Sequence, residues 1–212
     1  VMSLLEDKHM NEIQLQQGIL ALADIDKDVA SALEEYGFPP PRNIPAGFES
    51  LLSIIVSQQI STEASKAIMG RVRDLTPVLT AEAFLALEPD AIRGAGLSRP
   101  KVKYSLSLAE AIVERRFEPD ALIEMDDSSA IKAITELKGF GQWSAEIYLM
   151  FALGRCDIFP ADDLALQVAL GRLKGFAEKP TAKQTREIVN TWTPWRTAGA
   201  LFLWHYYRGA PA

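Results

Sequence analysis

A chain of 212 residues, 48% hydrophobic and 24% charged, has ample material for a buried core, and its composition argues against disorder as the main state. Cys156 is the only cysteine, which excludes an intrachain disulfide, a four-cysteine zinc site and a cysteine-ligated iron–sulfur cluster and suits a reducing compartment. Lys plus Arg number 22 against 28 Asp plus Glu, a formal net charge of −6, so any contact with a polyanion must be local.

The N-terminal run VMSLLEDKHMNEIQ mixes charges with apolar residues, and no later uncharged run is long enough to span a bilayer; the chain is expected to be neither secreted nor membrane-bound. Residues 11–36 have helical periodicity and close at YGFPPPRNIP, where consecutive prolines force extended backbone. Residues 48–75 repeat apolar positions at three and four, with Ser61 and Thr62 as interruptions, and predict a helix pair or one long helix. Shorter helices fit 81–87, 89–93, 99–115 after the turn GAGLSRP, and 119–124, each bounded by Pro or Gly. Asp127 or Ser128 can cap a helix ending near Leu137; further helices are expected from Gln142 to Leu153, Asp163 to Leu173, and Thr181 onward. Strand-like alternation, internal repeats and low-complexity segments are absent, so the expected fold is all-α.

The stretch LKGFGQWSAEIYLMFALGRCDIFPADD, residues 137–163, carries the chemistry. Lys138-Gly139-Phe140-Gly141 reads as a hairpin between two helices, in which glycine permits positive φ and lets backbone N–H groups at the second helix's N-terminus face outward, where a phosphate can sit. Such amides and a helix dipole can hold a polyanion with few lysines; a lone GxG can equally just join two helices. Further on, Asp162-Asp163 opens a helix, Asp162 as the expected N-cap and Asp163 in the first turn. The second carboxylate is then available to stabilise positive charge developing on a sugar or to take a proton from attacking water, although two acids at a helix start can also be purely structural.

Together these residues resemble the helix-hairpin-helix DNA glycosylases, specifically the 3-methyladenine DNA glycosylase II type. The hairpin L-x-G-x-G, second helix, Gly/Pro-rich loop and catalytic Asp of that family look matched by Leu137, Gly139, Gly141, residues 154–161 and Asp163. SIIVSQQIS (53–61), GLSRPKVKYSLSLA (96–109) and WTPWRTAGALFLW (192–204) are also similar, so the resemblance covers about residues 45–207. It implies two helical lobes around a cleft, one made of 1–50 plus 175–212 and the other of 51–174, in a compact version lacking the β-rich N-terminal domain of longer members. Asp163 is implied as the catalytic carboxylate, with Lys138, Gly139, Phe140, Gly141 and Ser144 contacting DNA.

Trp143 stands where bifunctional glycosylase-lyases carry a lysine nucleophile; tryptophan cannot form a Schiff base, so a monofunctional enzyme is implied. Trp143 would stack on a flipped, positively charged alkylbase, and Trp204 matches the family's second cleft tryptophan, core packing being the alternative for both. Ile147 occupies the place of a pocket tyrosine found in longer members; Tyr148, one residue away, would point about 100° off and does not take that role. Gln58 and Gln59 fall where related enzymes insert a side chain into the gap left by the flipped nucleotide, Gln59 being the expected wedge and plain surface glutamines the equal alternative. Lys103 and Tyr104 are assigned to solvation and packing. The resemblance also implies a structural Na+ or K+ held by the backbone carbonyls of Thr135, Leu137 and Phe140, with no other cofactor. His9 and His205 are too scattered for a zinc site.

The expected protein is therefore a monomeric base excision repair enzyme acting on double-stranded DNA with alkylated bases, cytoplasmic and nucleoid-associated in a bacterium or nuclear in a eukaryote. The alternatives are a noncatalytic DNA-structure-binding module and a glycosylase for another lesion.

Overall fold

Helix α1 (Glu12–Ile25) starts where Asn11 and Gln14 cap each other: the Gln14 N–H donates to Asn11 Oδ1 at 2.9 Å and the Asn11 N–H to Gln14 Oε1 at 3.0 Å. The structure, a computed structural model, describes residues 10–209, so His9 lies outside it. The helical stretch expected over 11–36 is formed by two helices. Asp26, extended at φ −135° and ψ 101°, ends α1 and caps α2 (Lys27–Tyr36) by accepting from the N–H groups of Asp28 and Val29. An aspartate side chain competes with the helix for those donors, which is why it breaks an otherwise periodic run.

Helices α3 (Phe48–Ser57) and α4 (Thr62–Arg73) are a pair, separated at Gln58 and restarted by Ser61, whose hydroxyl accepts from the Ala64 N–H at 3.1 Å. Helix α3 is apolar around most of its circumference and buries Phe48, Leu51, Leu52, Ile54, Ile55 and Val56, as a central helix must. Each fully buried aliphatic side chain there contributes about 2 kcal/mol, and Leu52→Ala would cost at least that much through the cavity left. Then follow α5 (Ala81–Leu85), α6 (Pro89–Gly94), α7 (Arg99–Val113), a 3-10 turn at Pro119–Glu124, α8 (Asp127–Thr135), α9 (Gln142–Phe151), α10 (Leu164–Leu173), α11 (Ala182–Val189), a 3-10 turn at Asn190–Trp192, and α12 (Arg196–Gly209). No strand occurs among the described residues, as expected.

Several boundaries differ from the expectation by a residue or more. The cap of α8 is Asp126 rather than Asp127 or Ser128; its carboxylate accepts from the hydroxyls of Ser128 and Ser129, at 2.7 Å each, and from the Ser129 N–H at 2.9 Å. Those bonds, the Ser128 hydroxyl foremost, hold the Asp126 carboxyl far below the usual range. Helix α8 stops at Thr135, leaving the residues to Leu137 in the turn, and α9 stops at Phe151. The helix expected from Thr181 starts there, Thr181 capping α11 in a capping box with Gln184, and α12 is a separate helix.

Contacts divide the described residues into two compact units, one made of residues 10–43 and 149–209, the other Ile44–Tyr148. This partition differs from boundaries at 50 and 174, because α10 packs on α12, α11 and α2 and so belongs with the terminal helices. In that unit α12 also packs on α1 and α2. An ionic staple crosses it: Lys174 Nζ donates to Asp26 Oδ1 and Oδ2 (2.6 and 2.7 Å) and to Asp28 Oδ2 (2.9 Å), while the buried Trp192 indole donates to Asp26 Oδ2 at 3.1 Å. In the Ile44–Tyr148 unit α7 packs on α3, α5 and α6, and α3 on α4. Among the described residues no helix is long and apolar enough to cross a membrane.

Candidate active site

The hairpin between α8 and α9 is closed by two short backbone bonds, Leu137 N–H to the Ile134 carbonyl (3.1 Å) and Phe140 N–H to the Leu137 carbonyl (3.2 Å). Its two glycines serve different ends. Gly139 has φ +87°, and a Cβ there would lie 2.4 Å from Tyr104 Cδ2, so both backbone and packing exclude any other residue. Gly141, against expectation, is not in the positive-φ region, and a Cβ there would meet open space. Its carbonyl accepts the Ala145 N–H at 3.1 Å, which makes it the start of α9, and the first N–H groups of any helix have no partner one turn back. Phe140 is buried and anchors the turn, whereas Lys138 is exposed.

Behind the hairpin lies the α3–α4 turn. Gln58 Nε2 donates to the Gly139 carbonyl (2.9 Å) and to Ser144 Oγ (3.2 Å). Ser144 is 3% exposed, so its hydroxyl supports the hairpin from inside instead of facing a ligand; the sequence expectation of a DNA-contacting side chain is corrected to that extent. Gln59 is exposed and held at φ 58°, rare for a residue with a side chain. Lys101 Nζ donates to the carbonyls of Val56 (2.8 Å) and Gln58 (2.6 Å), and burial pushes its pKa down. Lys101 lies within the similar stretch 96–109 but had no role there; only its contacts reveal one. Along α9, Trp143 is partly exposed and Ile147 is 8% exposed. Tyr148 is fully buried, its hydroxyl accepting from the Gly47 N–H at 2.9 Å; burial raises its pKa, outweighing that bond.

The second group of residues sits in the other unit. Asp163 is the N-cap of α10, not a first-turn residue: its Oδ1 accepts from the Leu166 N–H (3.0 Å) and from Trp204 Nε1–H (3.2 Å). Asp162, expected to be the cap, lies one residue outside, exposed and paired with Arg186. The shift arises because the turn before the helix is tightened by bonds from the Ala161 N–H to the Phe159 carbonyl and from the Asp163 N–H to the Pro160 carbonyl, both 2.9 Å. Buried Gln167 secures it by donating to the Ala161 carbonyl at 2.8 Å. The preceding loop is bonded to the start of α12. Arg196 grips Asp157 through Nε and one terminal nitrogen (2.7 and 2.8 Å), and the Thr197 hydroxyl donates to the Arg155 carbonyl at 2.7 Å and accepts from the Ile158 N–H at 3.1 Å. Trp204 stacks at a tilt on Phe151, ring centroids 5.8 Å apart, which orients the indole toward Asp163. The structure thus joins Asp163 with Trp204, and the hairpin with Gln58, Ser144 and Tyr104. Among the described residues no group of three His, Cys, Asp or Glu could hold a metal ion.

The hairpin at the head of α9 and the carboxylate capping α10 are the features through which the sequence resembles the helix-hairpin-helix glycosylases, and comparison with known proteins supports that family. The family described as HhH-GPD superfamily base excision DNA repair protein matches residues 52–194, and the chain belongs to that superfamily. It is 27% identical to DNA-3-methyladenine glycosylase 1 of Schizosaccharomyces pombe over 94% of this chain and 91% of that one. The solved structure of the 3-methyladenine DNA glycosylase Mag1 of the same organism, in complex with abasic DNA, superposes with a TM-score of 0.86 at 26% identity, covering 92% of this chain and 98% of the other. A DNA-3-methyladenine glycosidase from Bacillus halodurans gives a TM-score of 0.76 at 31% identity, over 92% and 89%.

Proposed function

We propose that this chain is a monofunctional DNA glycosylase that hydrolyses the N-glycosidic bond of alkylated purines, of the 3-methyladenine kind, in double-stranded DNA. The observation that carries the reading is the Asp163 carboxylate, one oxygen of which is held by the Leu166 N–H and the Trp204 indole at the head of α10. Two donors on one oxygen fix the plane of the carboxylate, and an acid so oriented can stabilise positive charge growing at C1′ and the ring oxygen as the base departs. The same group can align water for attack on C1′ and accept its proton, leaving an abasic site on an intact strand. Positively charged alkylbases are good leaving groups, and partly exposed Trp143 offers them an electron-rich face worth about 1 to 2 kcal/mol when desolvated. With tryptophan at position 143, the position where glycosylase-lyases of this family carry their lysine nucleophile has no amine, which supports a reaction without a lyase step.

The hairpin supplies the grip on DNA. Gly141 has no internal reason to lack a side chain, and the open space around it lets a backbone phosphate approach the first N–H groups of α9. Lys138 adds one exposed cation, and exposed Gln59 would enter the gap of a flipped nucleotide. The carbonyls of Thr135, Leu137 and Phe140 are hard oxygen donors suited to Na+ or K+; the Leu137 oxygen accepts the Phe140 N–H within the turn, and a carbonyl oxygen has a second lone pair for such an ion. Release of free base from methylated duplex DNA by the purified protein, lost in Asp163→Asn, is the deciding assay. An active Asp163→Asn protein would overturn the assignment.

A further inference from the structure

Backbone between α3 and α4 leaves the helix at Gln58 (φ −58°, ψ 129°) and turns through Gln59 at φ 58°. A side-chain-bearing residue persists in that left-handed conformation only where its surroundings overdetermine it. Two side chains do so. Lys101, in the first turn of α7, spends its ammonium on the Val56 and Gln58 carbonyls, and partial burial lowers its pKa. Gln58 points its amide the other way, onto the Gly139 carbonyl and Ser144 Oγ. Three residues after Lys101, on the same face of α7, Tyr104 packs under Gly139. One helix therefore supports both the hairpin and the turn carrying Gln59, and Gln58 bridges them.

We infer that Gln58 is a positioning residue that locks the α3–α4 turn to the hairpin, so that seating the hairpin on a phosphate presents Gln59 at a fixed offset for insertion into the DNA stack. The inference rests on the function proposed above. It assigns Gln58 no contact with the base: the amide acts by holding Gln59 through its own backbone, and Lys101 holds the far side of the same turn.

The test separates insertion from chemistry. Insertion is followed on the full chain by the fluorescence change of 2-aminopurine placed beside an abasic analogue in duplex DNA, while base release is measured separately and bears on the proposed function alone. Gln59→Ala should reduce the insertion signal about tenfold, and Gln58→Leu should reduce it by a similar factor. Gln58→Glu keeps the volume but turns a carboxylate oxygen toward the Gly139 carbonyl; it should do the same with its thermal midpoint near that of wild type, and it serves should Gln58→Leu unfold. Because Gln58 works through Gln59, the double variant should lose no more than Gln59→Ala alone. Wild-type insertion by folded Gln58→Glu, insensitivity to Gln59→Ala, or losses that multiply in the double variant would each overturn the inference.

Discussion

Asp162 and Asp163 are adjacent and chemically identical, and their surroundings separate them. Asp163 is the cap, its carboxylate oriented by a backbone N–H and an indole N–H; Asp162 is exposed and ion-paired to Arg186. Since asparagine also caps helices, Asp163→Asn should keep the fold while losing at least about a hundredfold in single-turnover excision, the range for an acid-base or charge-stabilising group. Asp163→Ala should in addition lower stability by about 1 kcal/mol, the usual value of a cap, measured by denaturant unfolding. Asp162→Asn should change both by little, because exposed ion pairs contribute from nothing to about 1 kcal/mol. Full activity in Asp163→Asn, or its loss in Asp162→Asn, would show that the roles are reversed.

At the scale of elements, the hairpin divides its labour between two glycines. Gly139→Ala must both strain a left-handed backbone and push a methyl into the Tyr104 ring, so its thermal midpoint should fall. Gly141→Ala meets neither obstacle and should fold normally, yet its methyl group occupies the space through which a phosphate would approach α9. Its affinity for an abasic-analogue duplex, followed by fluorescence anisotropy, should therefore drop further than that of Lys138→Ala, which removes one screened charge. If Lys138→Ala abolished binding and Gly141→Ala left it intact, a basic patch rather than the amide hairpin would hold the DNA.

For the whole molecule, charge sets two expectations. A chain with net charge −6 that grips phosphate chiefly through backbone amides releases few counterions, so its DNA affinity should fall only shallowly with salt. Stability should depend on pH through the Lys174–Asp26 staple. Burial opposes the charge on each partner, but the mutual bonds win: Asp26 is held below its ordinary pKa, by Lys174 and then Trp192, and Lys174 above its own. A depressed carboxyl contributes stability above its unfolded pKa and loses it as pH falls through the folded value; a raised ammonium contributes below its unfolded pKa and loses it as pH rises through the folded value. The staple therefore works between about pH 4 and about pH 10. Lys174→Met, which leaves a part-buried carboxylate with only its Trp192 and backbone donors, should cost about 1 to 3 kcal/mol at neutral pH, and the deficit should narrow toward both extremes in thermal unfolding. A deficit independent of pH would mean the loss is one of packing. The reaction's end point is a further expectation: borohydride should trap no protein–DNA adduct, and strands should break only on alkali treatment.

Local chemistry alone determined much of this protein. Helical periodicity, prolines and glycines placed nearly every element, because those signals act within a few residues of themselves. The hairpin and the acid pair opening α10 were legible for the same reason, glycines and acids in a fixed spacing forming a local pattern, whereas roles for Trp143 and Trp204 came only from the family resemblance. Misread features were those in which two local solutions compete. Asp26 could continue a helix or cap a new one, Asp126, Asp127 and Ser128 could each start α8, and Asp162 or Asp163 could cap α10; the bonds at Asp26, Asp126 and Asp163 show which won. Tertiary structure alone decided what lies far apart in sequence: Lys101 beneath Gln58, Gln58 against Gly139, Trp204 on Asp163, and α10 among the terminal helices. Such pairings come from burying apolar faces and satisfying the polar groups carried in with them, a condition on the whole chain that no short window of residues contains.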